Sequence, residues 1–212
     1  MKQISTHGIY FLSPVDGIST WYWGMDYTSG DLYEAEELFQ DGHLVQQNRL
    51  ILVRYPDGAV FEPVHAHAGQ YLGRPVYYGG QIILLLADFS KSKFDLIAFD
   101  ESTFQTELLV SLPRTVAEDC YNLLLHTSPL MLTRSPNNNK FQVLWPEYRE
   151  FQIGERETFH CRVGNQLYFN AWHEDPDYWE EVIVRDWDTG AILLRKPGTI
   201  QTMPNGQNWI LI

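Results

Sequence analysis

Basic side chains are scarce in this sequence. Fifteen Lys and Arg stand against 27 Asp and Glu, a formal net charge of −12. A phosphate backbone needs a cationic face, so nucleic acid is not expected as a partner. An anionic membrane surface is disfavoured for the same reason. The nearest approach to a basic group is Arg185, Arg195 and Lys196, and the acidity reads most simply as solubility. Cysteine is scarcer still. Cys120 and Cys161 are too few and too far apart for a disulfide framework or a zinc site, and their apolar surroundings predict buried free thiols. Long apolar runs are also missing. The longest, 82–87, is the size of a strand, well short of the roughly 18 residues that suggest a membrane-spanning helix. Residues 1–7 lack the apolar core of a secretory signal, and a cytoplasmic location is expected. No glycine-rich phosphate loop and no Gly-x-Ser-x-Gly elbow occurs, so no cofactor is expected.

What the chain has in quantity is strand and turn. Short runs of Val, Ile, Leu, Tyr, Phe and Trp alternate with clusters of Gly, Pro, Asn, Asp and Ser, the signature of an all-β protein. Pro56-Asp57-Gly58, Gly79-Gly80, Gly164-Asn165, Asp188-Thr189-Gly190 and Asn205-Gly206 supply residues that accept positive φ. Helical spacing is rare. Residues 31–39 show some, with a long strand or ordered loop as the alternative, and 114–122 has room for one turn.

Apolar strands recur at Ile9, Leu50, Ile82, Leu130, Leu167 and Trp209, several of them just after a turn, roughly forty residues apart. The segments after them are also alike: strand, turn, strand, loop, strand, turn, strand. That rhythm predicts a single domain over 1–212, a propeller-like array of about five four-stranded antiparallel blades, with a β-sandwich or barrel as the alternative. The expected units are 1–42, 43–74, 75–118, 119–157 and 158–198, with a terminal hairpin over 199–212. The hairpin 184–193, Val-Arg-Asp-Trp-Asp-Thr-Gly-Ala-Ile-Leu, resembles the outer hairpin of WD-repeat and quinoprotein-like propeller blades. Phe94 to Leu112 looks like a weaker copy. The resemblance implies blades, and with them loops gathered at one end of an axis; it names no activity. A terminal half-unit leaves the oligomeric state open, a dimer included.

Three groups of residues carry candidate chemistry. Trp21 and Trp23, with Tyr27 and Tyr33 beyond, stand near Asp26 and Asp31, while Trp172, Tyr178 and Trp179 bracket the acidic loop His173-Glu174-Asp175-Pro176-Asp177. Flat rings beside carboxylates suit a sugar, whose apolar face stacks while its hydroxyls bond to acids. Trp21, Trp23, Trp172, His173, Asp175 and Asp177 are therefore the candidate ligand-binding residues, although aromatic packing between sheets explains such rings better. The 173–177 loop is dense in oxygen ligands but lacks the residue order of a calcium loop. His65-Ala66-His67, if extended, would put two imidazoles on one face, a spacing used by metal sites; a third ligand is not marked out by spacing. No nucleophilic triad and no carboxylate pair stands out.

These readings favour a non-catalytic module that recognises a protein or peptide partner. A carbohydrate-binding or carbohydrate-active protein is the alternative, and a metal-dependent hydrolase using His65 and His67 a second one.

Overall fold

The computed structural model describes residues 1–26, 31–203 and 206–212; Tyr27 and Asn205 lie outside them. The chain is all-β, a propeller-like succession of antiparallel sheets in two compact units, Met1–Tyr121 and Asn122–Ile212. No sheet among the described residues closes into a barrel. No helix among them is long and apolar enough to cross a membrane.

In the first unit β1 (Ser13–Pro14), β2 (Trp21–Met25), β3 (Leu50–Arg54) and β4 (Val60–Phe61) form one sheet in that order. β2 and β3, which fall on either side of residue 42, are hydrogen-bonded neighbours; the described residues between them make a helix and no strand. That helix is α1 (Leu32–Gln40). Asp31 caps it, accepting from the Tyr33 and Glu34 amides, and Glu34 accepts from the Asp31 amide at 2.7 Å. This Asp-x-x-Glu capping box was readable in the sequence. Ile9, expected to start a strand, instead packs with Ile51 and Val53 as irregular chain.

The next sheet holds β5 (Gln70–Leu72), β6 (Val76–Tyr78), β7 (Gln81–Asp88), β8 (Lys93–Asp100) and β9 (Thr106–Pro113), with β5 and β6 sharing one side of β7. β7 carries the longest apolar run because it is flanked by strands and covered on both faces; Ile82 to Ala87 are all buried. A 3-10 turn follows at Arg114–Val116. There Arg114 pairs with the buried carboxylate of Glu36 in α1, which also accepts from the Cys120 amide at 2.6 Å.

The second unit has two four-stranded meanders and a hairpin. The first is β10 (Leu123–Thr127), β11 (Leu130–Arg134), β12 (Lys140–Trp145) and β13 (Arg149–Gln152). The second is β14 (Glu157–Val163), β15 (Gln166–His173), β16 (Trp179–Asp186) and β17 (Ile192–Pro197). The hairpin is β18 (Thr199–Thr202) with β19 (Asn208–Leu211).

Alternation gives the second meander one face of Phe159, Leu167, Phe169, Ala171 and Ile183, which joins Met131, Phe141, Val143 and Phe151 in a single core with Trp187. Phe141 stacks on Phe159 with centroids 4.7 Å apart and meets Phe169 edge-on at 5.2 Å, arrangements that ring quadrupoles favour. The opposite face presents Val182 and Val184 to Ile200 of the hairpin. Phe169 lies at the centre of the larger core. Phe169→Ala is expected to lower unfolding free energy by about 3–5 kcal/mol, read as an earlier denaturant midpoint for the second unit.

Candidate functional site

The two sequence-predicted aromatic groups have different fates. Trp21 and Trp23 share a face of β2 by alternation, and that face is the core of the first unit. Trp21 is 1% exposed. Its Nε1 donates to Glu101 Oε2 at 2.9 Å, and its ring meets Phe61 and Phe99 at 5.6 and 5.8 Å. Trp23 is half-buried against the same cluster. Against the expectation of a ligand-binding role, both pack into the core of the first unit, Trp21 enclosed and Trp23 partly covered. The expected metal pair, His65 and His67, is not carried on one strand. β4 ends at Phe61, and beyond it His65 makes only an isolated antiparallel bridge to Arg49, so no strand runs through both His65 and His67. His65 is exposed and its Nδ1 is 3.3 Å from Glu62 Oε1, while Arg49 occupies that carboxylate at 2.8 Å. Among the described residues no three His, Cys, Asp or Glu are grouped to hold a metal ion.

The second group is accessible. Trp172, Tyr178 and Trp179 are exposed at the end of β15 and the start of β16. Trp172 opposes Glu180 and His173 opposes Trp179, so Trp172 and His173 point to opposite faces. The Arg156 guanidinium covers the Trp172 ring at 4.6 Å. The His173 imidazole stacks on Trp179 at 4.0 Å with 11° between planes, and its Nε2 lies 2.9 Å from Glu181 Oε1. Glu181 is nearly buried and also accepts from Arg195 Nη1 at 2.6 Å. Asp175 and Asp177 are exposed on the intervening loop. The structure thus adds Trp179, Glu181 and Arg195 to His173. Alternation along 179, 181 and 183 would have shown that Glu181 shares a face with Ile183 and is therefore buried.

Arg195 leads to the surface that sequence reasoning missed. Among the described residues β17 pairs with β16 alone and ends its sheet, and all six of its residues are exposed, Ile192, Leu193 and Leu194 at 42, 52 and 53%. Edge strands in folded proteins are often very short, bulged, charged or proline-bearing; β17 has a bulge against Val184/Arg185 and ends in Arg195, Lys196 and Pro197, but its first half is aliphatic. β1 and β4 have two residues each, and β13 carries Arg149 and Glu150. β17 has six residues, three of them consecutive aliphatics, followed by Arg195 and Lys196. In the same unit Trp209, Ile210, Leu211 and Ile212 are exposed on and after β19, whose Leu211 lies against Gly198, the residue that follows β17. Residues 189–212 contain no Asp or Glu, although the chain as a whole is strongly acidic. That gap was legible in the sequence.

The turn before β17 is built with care. Asp186 Oδ1 accepts from the Asp188 and Thr189 amides and from Thr189 Oγ1 at 3.1, 2.9 and 2.8 Å, which lowers the Asp186 pKa. Gly190 has φ +70°, and a Cβ there would come within 2.5 Å of Phe151. Its carbonyl accepts from Arg185 Nη1 at 2.8 Å, while Arg185 Nε and Nη2 hold Glu157 at 2.8 and 2.7 Å. The same turn recurs in the first unit. There Asp100 Oδ1 accepts from Ser102 Oγ and from the Ser102 and Thr103 amides, with its pKa drawn down to about 2.

The hairpin is tied to the outer face of β14 and β15. Asn170 Oδ1 accepts from the Ile200 amide at 2.9 Å, and His160 Nε2 meets Asn208 Oδ1 and Thr202 Oγ1 at 3.2 and 3.0 Å. His126, edge-on to Phe159 at 4.8 Å, is half-buried, and burial, with a smaller contribution from His160, lowers its pKa from 6.5 to about 4. The unfolded chain therefore binds the extra proton first as pH falls from 6.5 toward 4. Stability is fully present above pH 6.5 and declines through that window. His126→Gln is expected to flatten this part of the stability–pH curve, measured by denaturant titration at successive pH values.

No protein-family model matches the chain, and no curated protein matches it. Among solved structures, it is similar to an exo-β-1,3-galactanase from Phanerochaete chrysosporium at 7% identity and a TM-score of 0.40, covering 92% of this chain and 52% of that one. Prolyl oligopeptidase B from Galerina marginata gives 14% and 0.47, covering 94% and 30%. A putative 6-phosphogluconolactonase from Bacteroides uniformis gives 10% and 0.36, covering 92% and 75%. The chain thus spans about half of the galactanase and under a third of the oligopeptidase. Likeness at this level assigns it to none of their families.

Proposed function

We propose that this chain is a binding module for a partner protein, and that the partner docks on the surface formed by β17 and β19 in the second unit. The observation that carries this reading is the concentration of exposed aliphatic and aromatic side chains in a stretch with no acidic residue. Scattered exposed apolar side chains are ordinary, whereas a contiguous run on an edge strand marks an interaction surface. Charge depletion with enrichment in large apolar residues and Arg is the composition of an interface core. The two buried thiols, Cys120 and Cys161, are free, which accords with a reducing compartment such as the cytoplasm.

The test compares wild-type protein with Leu193→Asp/Trp209→Ser in affinity capture, followed by reconstitution with the purified captured protein. Both substituted residues are about half exposed, so the circular-dichroism melt should stay unchanged. Affinity is expected to fall at least about tenfold, as for loss of interface anchors. Equal affinity of the two forms for the same purified partner would remove this surface from the reading.

A further inference from the structure

We propose that the partner contributes an extended segment of alternating apolar and acidic residues, which adds to the outer edge of β17 as a fifth strand. This rests on the docking surface proposed above and specifies its occupant.

The backbone is the first argument. Among the described residues β17 bonds only to β16, through the pairs from Glu181↔Pro197 to Arg185↔Ile192. In an antiparallel ladder, alternate backbone N–H and C=O groups of an edge strand point away from its neighbour. An extended peptide can satisfy such groups, with affinity from the main chain and specificity from alternate side chains. The edge is held still for this purpose. Its start is fixed by the Arg185–Gly190 hydrogen bond, and its end by Arg195 on Glu181 and by the Gly198 amide on the Glu180 carbonyl at 2.9 Å.

Charge selects among occupants. β17 carries Arg195 and Lys196 and no acid. Two copies paired in parallel register would set Arg195 and Lys196 beside their own counterparts, which opposes that pairing. An acidic segment meets the opposite situation. Arg195 uses one guanidinium nitrogen on Glu181 and is half exposed, leaving further donors for a carboxylate on the incoming strand. Ile192, Leu193 and Leu194 offer apolar contacts to both faces of that strand. The eight-residue edge β9 is the rival in the first unit, but it includes Glu107 and no basic residue.

The experiment uses the full chain and a fluorescein-labelled decapeptide alternating valine and glutamate, followed by fluorescence anisotropy. Four companion peptides or proteins complete it: a valine–lysine decapeptide, two versions of the valine–glutamate peptide N-methylated on one or other set of alternate residues, and the Lys196→Glu variant. Saturable binding of the valine–glutamate peptide is expected, with none for valine–lysine. One N-methylated version should bind as the parent does and the other at least about tenfold more weakly, because only one set of N–H groups faces β17. Lys196→Glu should weaken binding by a similar factor while the melting curve is unchanged.

Equal binding of both N-methylated versions would overturn strand addition and leave the docking surface standing. No binding of the valine–glutamate peptide, alongside partner capture that still depends on Leu193 and Trp209, would overturn the peptide chemistry alone. Concentration-dependent dimerisation that Leu193→Asp abolishes, seen by sedimentation, would make a second copy the occupant and overturn the proposal. So would binding of wild-type protein, lost in Leu193→Asp, to phosphatidylserine vesicles without peptide binding.

Discussion

The guanidinium of Arg185 joins three separate parts of the second unit. Two of its nitrogens hold Glu157 at the start of β14, the third holds the Gly190 carbonyl in the turn before β17, and its charge lies near the Phe169 ring at 5.9 Å. Both partners of the ion pair are almost fully enclosed. A pair so placed gains little net stability over an apolar replacement, but losing one partner leaves an uncompensated charge in the core. Its consequence here is positional. It fixes where the chain turns out of β16, and so where the exposed edge begins. Gly190 serves the same end, since any side chain at its positive φ would strike Phe151. The Trp187 ring closes the arrangement, enclosed by the core and covered by Arg162 at 3.6 Å and Arg149 at 5.6 Å.

Much of the fold is legible in the sequence, for reasons that can be named. Leu50, Ile82, Leu130 and Leu167 each begin a strand, or lie within its first two residues, in the interior of a sheet. Such strands are flanked on both sides, and β3, β7 and β11 are buried along nearly their whole length, so they read as apolar runs between turn signals, whereas β15 alternates. The Asp-x-x-Thr-Gly turn and its weaker copy at Asp100 to Phe104 are local, and local chemistry survives translation into structure. Ile9 misled because an apolar tripeptide after a turn serves as well for plugging a cluster as for pairing. The helix at 32–40 was under-read because its short amphipathic pattern is ambiguous; only the capping box decides it.

The site was less legible, because it depends on which face of a strand is covered. Trp21 and Trp23 look like Trp172 and Trp179 in composition, yet the first pair is turned into a core and the second lies at a sheet's end. His65 and His67 needed a strand through residue 67, and the strand stops at Phe61. Periodicity gives alternation without saying which side meets solvent. The acid-free stretch from Thr189 onward is a different kind of signal. It needs no knowledge of faces, only attention to where a charge type is absent, and it coincides with the exposed strands β17 and β19.

The account depends on β17 having an unpaired outer edge that is nonetheless rigid. Hydrogen–deuterium exchange of the isolated protein, resolved by residue over 191–198, tests this most directly. Amides bonded to β16 should be protected and the outward-facing ones on the same strand should exchange quickly, giving an alternating pattern interrupted near the bulge at Val184/Arg185. Uniform protection along the strand would show an edge already covered, and uniformly fast exchange would show a strand that is not held in place; either result contradicts the account.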